Sequence, residues 1–239
     1  MSAYGRDLAR IHDTGWGDFA RDASPGLLRM LSRANLREGL VVDLGCGSGI
    51  WARALADAGY DVLGIDLSED MLAIARRRVP EARFMRASAF DADLPECVAI
   101  TSIGECLGYA FDERSGREAL VGLFERAHAA LAPGGLLIFD LVEPGRERPR
   151  KGWYEGDDWT LCLDVHEDGG RLVRDITVFA REGELYRRVH ERHEVVLHEP
   201  EAVLADLTAA GFAPRVLRGY GPGLRFRRGV CGYLAARRA

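Results

Sequence analysis

The sequence predicts an α/β fold with a mainly parallel sheet, and three observations support this prediction. Between residues 39 and 140, short apolar runs alternate with amphipathic stretches, which is typical of consecutive β-α-β units. A segment with three alternating glycines joins the first apolar run to the first amphipathic stretch. At 239 residues the chain is long enough to bury one large core without splitting in two, so we expect a single domain over residues 1–239.

Apolar spacing places the elements of this alternating core. The predicted strands are Leu40–Leu44, Asp61–Ile65, Ala82–Met85, Val98–Thr101 and Leu136–Phe139. The predicted helices are Trp51–Ala58, Glu69–Arg78 and Arg117–Leu131. Ser68 fits the N-cap of the second helix, and Pro133-Gly134-Gly135 predicts a turn between the third helix and the last strand.

The regions before and after residues 35–140 have different patterns. A leading helix is predicted at Asp18–Ala34, kinked or divided at Pro25, within a helical segment over residues 1–34. Residues 141–198 begin with a loop at Glu143–Gly152 and continue with three period-two runs, which predict an antiparallel three-stranded insertion. These runs are Trp159–Glu167, Arg171–Arg181 and Leu185–Leu197. Residues 199–239 add a helix at Glu201–Ala210 and two antiparallel strands at Phe212–Leu217 and Val230–Ala235.

Composition narrows the function classes. The formal net charge of −5 argues against a nucleic-acid partner, and the arginines near the C-terminus are typical of a solvated face. Together with the aromatic residues of the insertion, these arginines could instead form a pocket for an organic, carboxylate-bearing acceptor. We expect a cytoplasmic protein with no membrane segment, because the N-terminus lacks a secretory pattern and the five cysteines are scattered.

The glycine-rich segment has the spacing of a ligand-binding turn. It runs from Val41 to Gly49 as VVDLGCGSG, and its glycines allow a ligand to approach the backbone beside a helix N-terminus. Dinucleotide sites use GxGxxG, whereas Ile50 stands where the third glycine would fall, so this spacing argues against NAD. Asp66 lies 23 residues beyond Asp43, at the predicted end of the second strand, where a carboxylate can accept both hydroxyls of a ribose.

Taken together, VVDLGCGSG, GIDLSEDML at Gly64–Leu72 and LAPGGLLIFD at Leu131–Asp140 closely resemble the class I S-adenosylmethionine-dependent methyltransferases. The resemblance implies a Rossmann-like, doubly wound sheet of seven strands with the last strand antiparallel. It also implies S-adenosyl-L-methionine as cofactor and S-adenosyl-L-homocysteine as product. The implied reaction is an in-line displacement at the methyl group.

The resemblance also assigns cofactor contacts. It implies that Gly45 and Gly47 flank the methionine moiety, that Asp43 holds its amino end and that Asp66 binds the ribose. The full implied set is Asp43, Gly45, Cys46, Gly47, Asp66, Leu67, Met71, Ser88, Ala89, Phe90, Ser102 and Ile103. The family often has an aspartate where this chain has Ser88, and Phe90 or Asp91 is a candidate substitute for that contact.

The segment Thr101–Tyr109 resembles the corresponding part of small-molecule methyltransferases and lacks the Asn/Asp-Pro-Pro-aromatic signature of nucleic-acid amino methyltransferases. This implies a small-molecule acceptor, with Tyr109 as a substrate contact. A general base is optional, and the candidates are Glu105, His12 and Tyr4. The alternative roles are a helix cap for Glu105 and packing of the N-terminal segment for the other two.

Two other functions stay open at this point. One is a methyltransferase acting on RNA or protein, which a basic groove beside Ser102–Tyr109 would favour; the other is a non-catalytic module that binds an adenosyl ligand. We expect a monomer or homodimer and no metal site. His190, His193 and His198 lack the accompanying ligands of a closed metal site, and a solvated or packing role suits them better.

Overall fold

The computed structural model describes residues 4–145 and 150–238. The helices are α1 (Arg6–Gly15), α2 (Asp18–Arg33), α3 (Ile50–Asp57), α4 (Glu69–Arg78), α5 (Arg117–Ala130) and α6 (Pro200–Ala209), with a short 3₁₀ turn at Cys106–Gly108. The strands of a large sheet are β1 (Leu40–Leu44), β2 (Asp61–Asp66), β3 (Arg83–Arg86), β4 (Cys97–Ser102), β5 (Leu131–Val142), β10 (Phe212–Leu217) and β11 (Val230–Arg237). A smaller sheet contains β6 (Arg150–Gly156), β7 (Trp159–Asp168), β8 (Arg171–Glu182) and β9 (Leu185–Val196).

The large sheet has the predicted topology. Its strand order is β10-β11-β5-β4-β1-β2-β3, and strands β1 to β5 are parallel. Strand β11 runs antiparallel to both β5 and β10, which confirms the seven-stranded sheet with an antiparallel last strand. Because the order of the strands reverses between β1 and β4, a crevice opens at their carboxyl ends, where open α/β sheets bind ligands.

Both faces of the large sheet are buried, which explains the near-continuous apolar runs of its strands. On one face, Phe139 of β5 packs with Phe124 of α5 and Leu207 of α6. On the other face, Ile138 packs with Leu27 of α2 and Trp51 of α3. The five predicted core strands and the three predicted helices are all present.

The antiparallel insertion after β5 is confirmed, and it contains four strands where three were predicted. The additional strand, β6, overlaps the predicted loop Glu143–Gly152 and pairs with β7, with Trp153 opposite Cys162. The glycines and charged residues of β6 hide the alternation of apolar and polar residues that would predict a strand. The strand forms because β7 provides hydrogen-bond partners for its backbone. A hairpin turn joins β7 to β8, with Gly169 and Gly170 at φ +54° and +78°.

Three local predictions need correction. Helix α2 is continuous through Pro25, because this proline lies on the solvent side, where water can satisfy the carbonyl that loses its partner. Residues Pro133-Gly134-Gly135 lie inside β5, at a shift in its register with β4, rather than between helix and strand. The first helix of the segment 1–34 is α1, which precedes the predicted one.

Three ion pairs hold α1 across the carboxyl edge of the large sheet, and one of them joins Arg10 to Asp158, just before β7, at 2.8 Å. Asp7 pairs with Arg187 of β9 through two contacts of 2.8 and 2.9 Å. Asp13 pairs with Arg78 of α4 through contacts of 2.8 and 3.0 Å. Helix α1 is therefore tied both to the small sheet and to the large one.

A close backbone contact joins α2 to the loop between β10 and β11. A Cβ atom at Gly26 would lie 1.5 Å from the carbonyl oxygen of Tyr220, whose side chain is fully buried. Only glycine fits at this position. None of the described helices is long and apolar enough to span a membrane.

Candidate functional site

A cavity of about 580 Å³ lies between the carboxyl edge of the large sheet and the small sheet. We call the ends of β1, β2 and β4, with the turns that follow them, the floor of this cavity. We call α1 and strands β7 to β9 its roof; Leu8, His12, Leu161, Arg174 and His193 are among the roof residues that line it. This volume lies within the range of small-molecule and cofactor sites, roughly 300–1,000 Å³.

The glycine-rich turn forms the first part of the floor. Gly45 and Gly47 have φ values of +72° and +52°, a region in which other residues are strained. A Cβ atom at Gly45 would also lie 2.5 Å from the Cβ atom of Cys106. Asp66 faces this turn and accepts hydrogen bonds of 2.8 Å from the backbone N–H groups of Gly47 and Ser68. Each carboxylate oxygen of Asp66 keeps one lone pair for a ligand.

Asp43 lies beneath the same turn and is almost fully buried. Its Oδ1 atom accepts a hydrogen bond of 2.8 Å from the Thr101 hydroxyl, which in turn accepts one of 3.0 Å from the Trp51 indole N–H. Burial raises the pKa of Asp43 to about 7. No cation of the described chain is paired with this carboxylate. A cationic ligand group in the cavity would therefore be stabilised here.

Asp140, at the carboxyl half of β5, organises the loop that follows β4. Its oxygens accept the backbone N–H groups of Gly104 at 3.0 Å and Glu105 at 2.6 Å, and the Tyr220 hydroxyl at 2.6 Å. Burial raises the pKa of Asp140 to about 6. The loop after β4 and the loop between β10 and β11 are thus held by one carboxylate.

Ten of the twelve predicted cofactor residues line the cavity. The two exceptions are Ser88 and Ser102. The Ser88 hydroxyl donates to Asp112 and accepts the Phe90 N–H at 3.0 Å, so it shapes the turn after β3 from behind the wall. Ser102 is fully buried in β4 and does not reach the cavity.

Asp112 is a floor residue that the sequence analysis missed. It lies after β4, lines the cavity and has 7% of its surface exposed. Asp91, the candidate substitute for Ser88, is exposed and pairs instead with Arg114 at 3.3 Å. No periodic pattern marked Asp112, because its position depends on a contact between two loops.

The roof is joined to the floor by a series of polar contacts through Arg174 of β8. The Arg174 guanidinium forms an ion pair with Glu105 and donates 2.9 Å to the Tyr109 hydroxyl. The Tyr109 and Tyr4 hydroxyls are 3.0 Å apart. Burial raises the pKa of both phenols, so both are protonated at neutral pH. We call Glu105, Arg174, Tyr109 and Tyr4 the polar chain.

The three candidate bases, Glu105, His12 and Tyr4, all line the cavity. The Glu105 side chain makes no cap hydrogen bond to the 3₁₀ turn that follows it, so the capping role is not observed. An ion pair with arginine stabilises the charged carboxylate, which makes Glu105 a weaker proton acceptor. His12 also lines the cavity, with its ring edge-on to Tyr4 at 5.2 Å, and burial lowers the pKa of His12 to about 4.

Glu191 of β9 fixes the start of the described chain. It accepts hydrogen bonds of 3.1 Å from the backbone N–H groups of Tyr4 and Gly5 and lies 2.9 Å from the Nε2 atom of His193. His193 is buried against the Tyr4 ring, whereas the exposed His190 contacts Thr177. Within residues 4–145 and 150–238, no group of three or more potential ligands is placed to hold a metal.

A protein-family model matches the part of the chain that contains the glycine turn at the end of β1. Residues 41–135 match a model described as a methyltransferase domain. This chain is similar to S-adenosylmethionine-dependent methyltransferases. The matched residues supply β1 to β4 and the floor of the cavity.

The similarity to named methyltransferases extends over nearly the whole chain. The chain is 29% identical to a dTDP-3-amino-3,6-dideoxy-alpha-D-glucopyranose N,N-dimethyltransferase of Streptomyces fradiae, over 90% of this chain and 88% of that protein. It is also 29% identical to a dTDP-3-amino-3,4,6-trideoxy-alpha-D-glucopyranose N,N-dimethyltransferase of Streptomyces venezuelae, over 90% and 94%. An S-adenosylmethionine-dependent methyltransferase from Clostridium acetobutylicum has the same fold, with a TM-score of 0.82, 19% identity and 98% of each chain covered.

Proposed function

We propose that this protein binds S-adenosylmethionine on the floor of the cavity and transfers its methyl group to the amino group of a small, sugar-like acceptor beneath the roof. One observation carries the cofactor assignment: the buried carboxylate of Asp43 and the half-buried carboxylate of Asp66 flank the glycine turn at the carboxyl ends of β1 and β2. In this proposal Asp43 holds the ammonium group of the methionine moiety and Asp66 accepts the ribose hydroxyls.

The residues present fit the cofactor chemically. Asp43 is desolvated and unpaired with any described cation, as expected for a carboxylate that receives a ligand's ammonium group. Leu67, Met71 and Phe90 provide apolar wall for an adenine ring. Asp112 is the carboxylate of this wall and could accept the adenine amino group in place of Ser88.

The bound cofactor supplies an electrophilic methyl group, so the protein has to align the acceptor and exclude water. Alignment alone contributes up to about 7–11 kcal/mol to lowering such a barrier. The protonated phenols Tyr4 and Tyr109 and the Arg174 guanidinium can orient a polar acceptor. No dedicated base is required, since an amine that enters in its neutral form attacks with its own lone pair and later loses its proton to solvent.

Two arguments favour a small amine as the acceptor. The relatives from Streptomyces fradiae and Streptomyces venezuelae are by name N,N-dimethyltransferases of amino sugars, and each matches 90% of this chain, well beyond residues 41–135. In addition, Tyr109 is buried beneath the small sheet and Leu107 in the core of the large sheet, so the segment Ser102–Tyr109 presents no open groove to an RNA or a protein.

Calorimetric titration with S-adenosylmethionine, S-adenosylhomocysteine and NAD tests the cofactor assignment. We expect both adenosyl ligands to bind and NAD not to bind. Asp66→Ala should weaken binding about 100-fold, because ligand hydroxyls lose a charged acceptor. Asp61→Ala is the matched control, since Asp61 is exposed at the opposite end of the same strand. Equal affinity of both variants for the adenosyl ligands would contradict the assignment.

Mass spectrometry of reactions with paired acceptors tests the second part of the proposal. The pairs should differ only in an amino or a hydroxyl group on the sugar. Methylation of the amino compound alone is expected. Transfer to the hydroxyl compound, with cofactor binding intact, would overturn the amine assignment and leave the cofactor site standing.

A further inference from the structure

A second concave region adjoins the mouth of the cavity. It has a volume of about 540 Å³ and is lined by four arginines, Arg218, Arg225, Arg227 and Arg228, which we call the arginine basin. Glu143 is the single carboxylate among the lining residues that the structure describes. The basin therefore has an excess of positive charge, although the chain as a whole has a net charge of −5.

Several other arginines of this surface are neutralised by ion pairs, which distinguishes them from the basin arginines. Arg53, Arg76 and Arg187, for example, each pair with a carboxylate within 3 Å. The four basin arginines are exposed, and none has an ion pair within the described residues. Like charges held together without counter-charges repel each other, and a bound anion relieves this repulsion.

The loop that carries these arginines is folded and anchored. Phe226 N–H donates to the Arg218 carbonyl at 3.0 Å, and Gly219 forms a bridge with Arg225. The buried Tyr220 ring packs edge-on against Phe226 at 4.8 Å and donates its hydroxyl to Asp140. The arginines are thus held in a defined position relative to the floor of the cavity.

The basin and the cavity share part of their wall. Arg225, Phe226, Arg227 and Val230 line both. A ligand that places one end beneath the roof can therefore extend its other end into the basin. Arginine suits phosphate groups especially well, because its planar guanidinium donates two parallel hydrogen bonds to phosphate oxygens.

We propose that the arginine basin is the subsite for the phosphate-bearing end of the acceptor, and that the acceptor is a sugar attached to a nucleoside diphosphate. This proposal rests on the proposed function, since it defines which amine-bearing molecule enters the cavity. Two adjacent phosphates match several arginines around one concavity better than a single phosphate or carboxylate does. The small size of the basin and the acidic remainder of the chain disfavour a nucleic-acid polymer.

Titration of the full chain with thymidine diphosphate, pyrophosphate and inorganic phosphate tests the proposal. The test variant is Arg218→Gln/Arg228→Gln, because these two arginines line the basin and not the cavity. The matched control is Arg33→Gln/Arg215→Gln, which removes the same charge from exposed arginines that line neither region and have no ion pair within the described residues. Titration with S-adenosylhomocysteine is carried out in parallel on all three proteins.

We expect thymidine diphosphate and pyrophosphate to bind more tightly than phosphate. The affinity of the test variant for thymidine diphosphate and pyrophosphate should fall at least about tenfold, whereas the affinity of the control variant should change less than about twofold. Equal losses in the two variants, or equal binding of phosphate and pyrophosphate, would overturn the subsite. If the protein bound the diphosphates but not S-adenosylhomocysteine, the proposed function would be wrong instead. A failure of the subsite is therefore distinguishable from a failure of the proposed function.

Discussion

The floor and the roof of the cavity are built in different ways. The glycine turn of the floor is held through its own backbone: Asp66 accepts the N–H groups of Gly47 and Ser68, 19 and 2 residues away. The roof is held by side-chain contacts between distant segments, such as Asp7 with Arg187, separated by 180 residues, and Glu105 with Arg174, separated by 69. The glycine turn therefore depends on backbone conformation, whereas the attachment of the roof to the rest of the molecule depends on a few side-chain ion pairs.

The largest effect is expected from breaking the floor at its glycine turn. Gly45→Ala forces an alanine to φ +72° and brings a Cβ atom 2.5 Å from the Cβ atom of Cys106. We expect a loss of about 3 kcal/mol or more in the free energy of unfolding, together with loss of cofactor binding. Chemical denaturation and calorimetry measure the two effects.

Gly59→Ala is the control for this substitution. Gly59 has φ +90°, but a Cβ atom there would meet no other atom within 4 Å. It isolates the cost of the backbone conformation, which is about 1 kcal/mol. If the two variants lost the same stability, close packing of the turn against Cys106 would not be what makes glycine necessary.

A smaller effect is expected from breaking the roof at Glu105. Glu105→Gln removes the ion pair with Arg174 and should lower turnover about 10- to 100-fold through misplacement of the acceptor. Cofactor affinity should stay nearly unchanged, because the floor is intact. Steady-state kinetics and calorimetry separate the two quantities.

A double-mutant cycle sharpens this prediction. If Glu105 and Arg174 act as one unit, Glu105→Gln/Arg174→Gln should be no slower than the slower single variant. Unchanged turnover in Glu105→Gln would remove Glu105 from the acceptor site. A loss of cofactor affinity as large as the loss of turnover would place Glu105 on the floor instead.

The smallest effect concerns the charge of the floor. The pKa of Asp43 is about 7 in the folded, ligand-free protein, above the usual aspartate value near 4, so the folded state binds more protons between these values. Stability from this group is therefore present at low pH and is lost as pH rises towards 7. A cationic ligand group favours the ionised carboxylate, so S-adenosylhomocysteine should bind up to about tenfold more tightly at pH 7.5 than at pH 6.

Asp43→Asn tests the assignment of this pH dependence. Asparagine keeps an oxygen for the Thr101 hydroxyl but cannot ionise. The variant should bind more weakly and lose most of the increase in affinity between pH 6 and 7.5. If the variant kept the full increase in affinity, another group would have to cause the pH dependence. Asp140 is the first candidate, because burial raises the pKa of Asp140 to about 6.

The same contrast explains what could be predicted from the sequence. Residues of the floor follow one another along the chain, so the pattern from Val41 to Gly49 and the position of Asp66 were sufficient to predict them. The roles of individual floor residues stay predictions. Asp112 was missed, because it reaches the floor from a loop that only tertiary packing places beside Ser88.

Residues of the roof were harder to predict. Arg174 and Glu191 lie on strands with alternating polar and apolar residues, and the sequence does not show which face of the small sheet covers the cavity. Strand β6 lacked a clear period and was predicted as a loop in part. Period and turn residues were sufficient to predict an antiparallel insertion, but its docking depends on ion pairs with α1 and with the loop after β4.

Gly26 has a consequence for how this molecule could be altered or redesigned. It lines neither the cavity nor the basin, yet the Tyr220 carbonyl occupies the space that any side chain there would need. Any replacement would push away the loop that carries both the basin arginines and the Tyr220 hydroxyl bound to Asp140. If the basin binds the acceptor as proposed, a helix position that lines neither region constrains the acceptor range, and libraries aimed at new acceptors should keep residue 26 fixed.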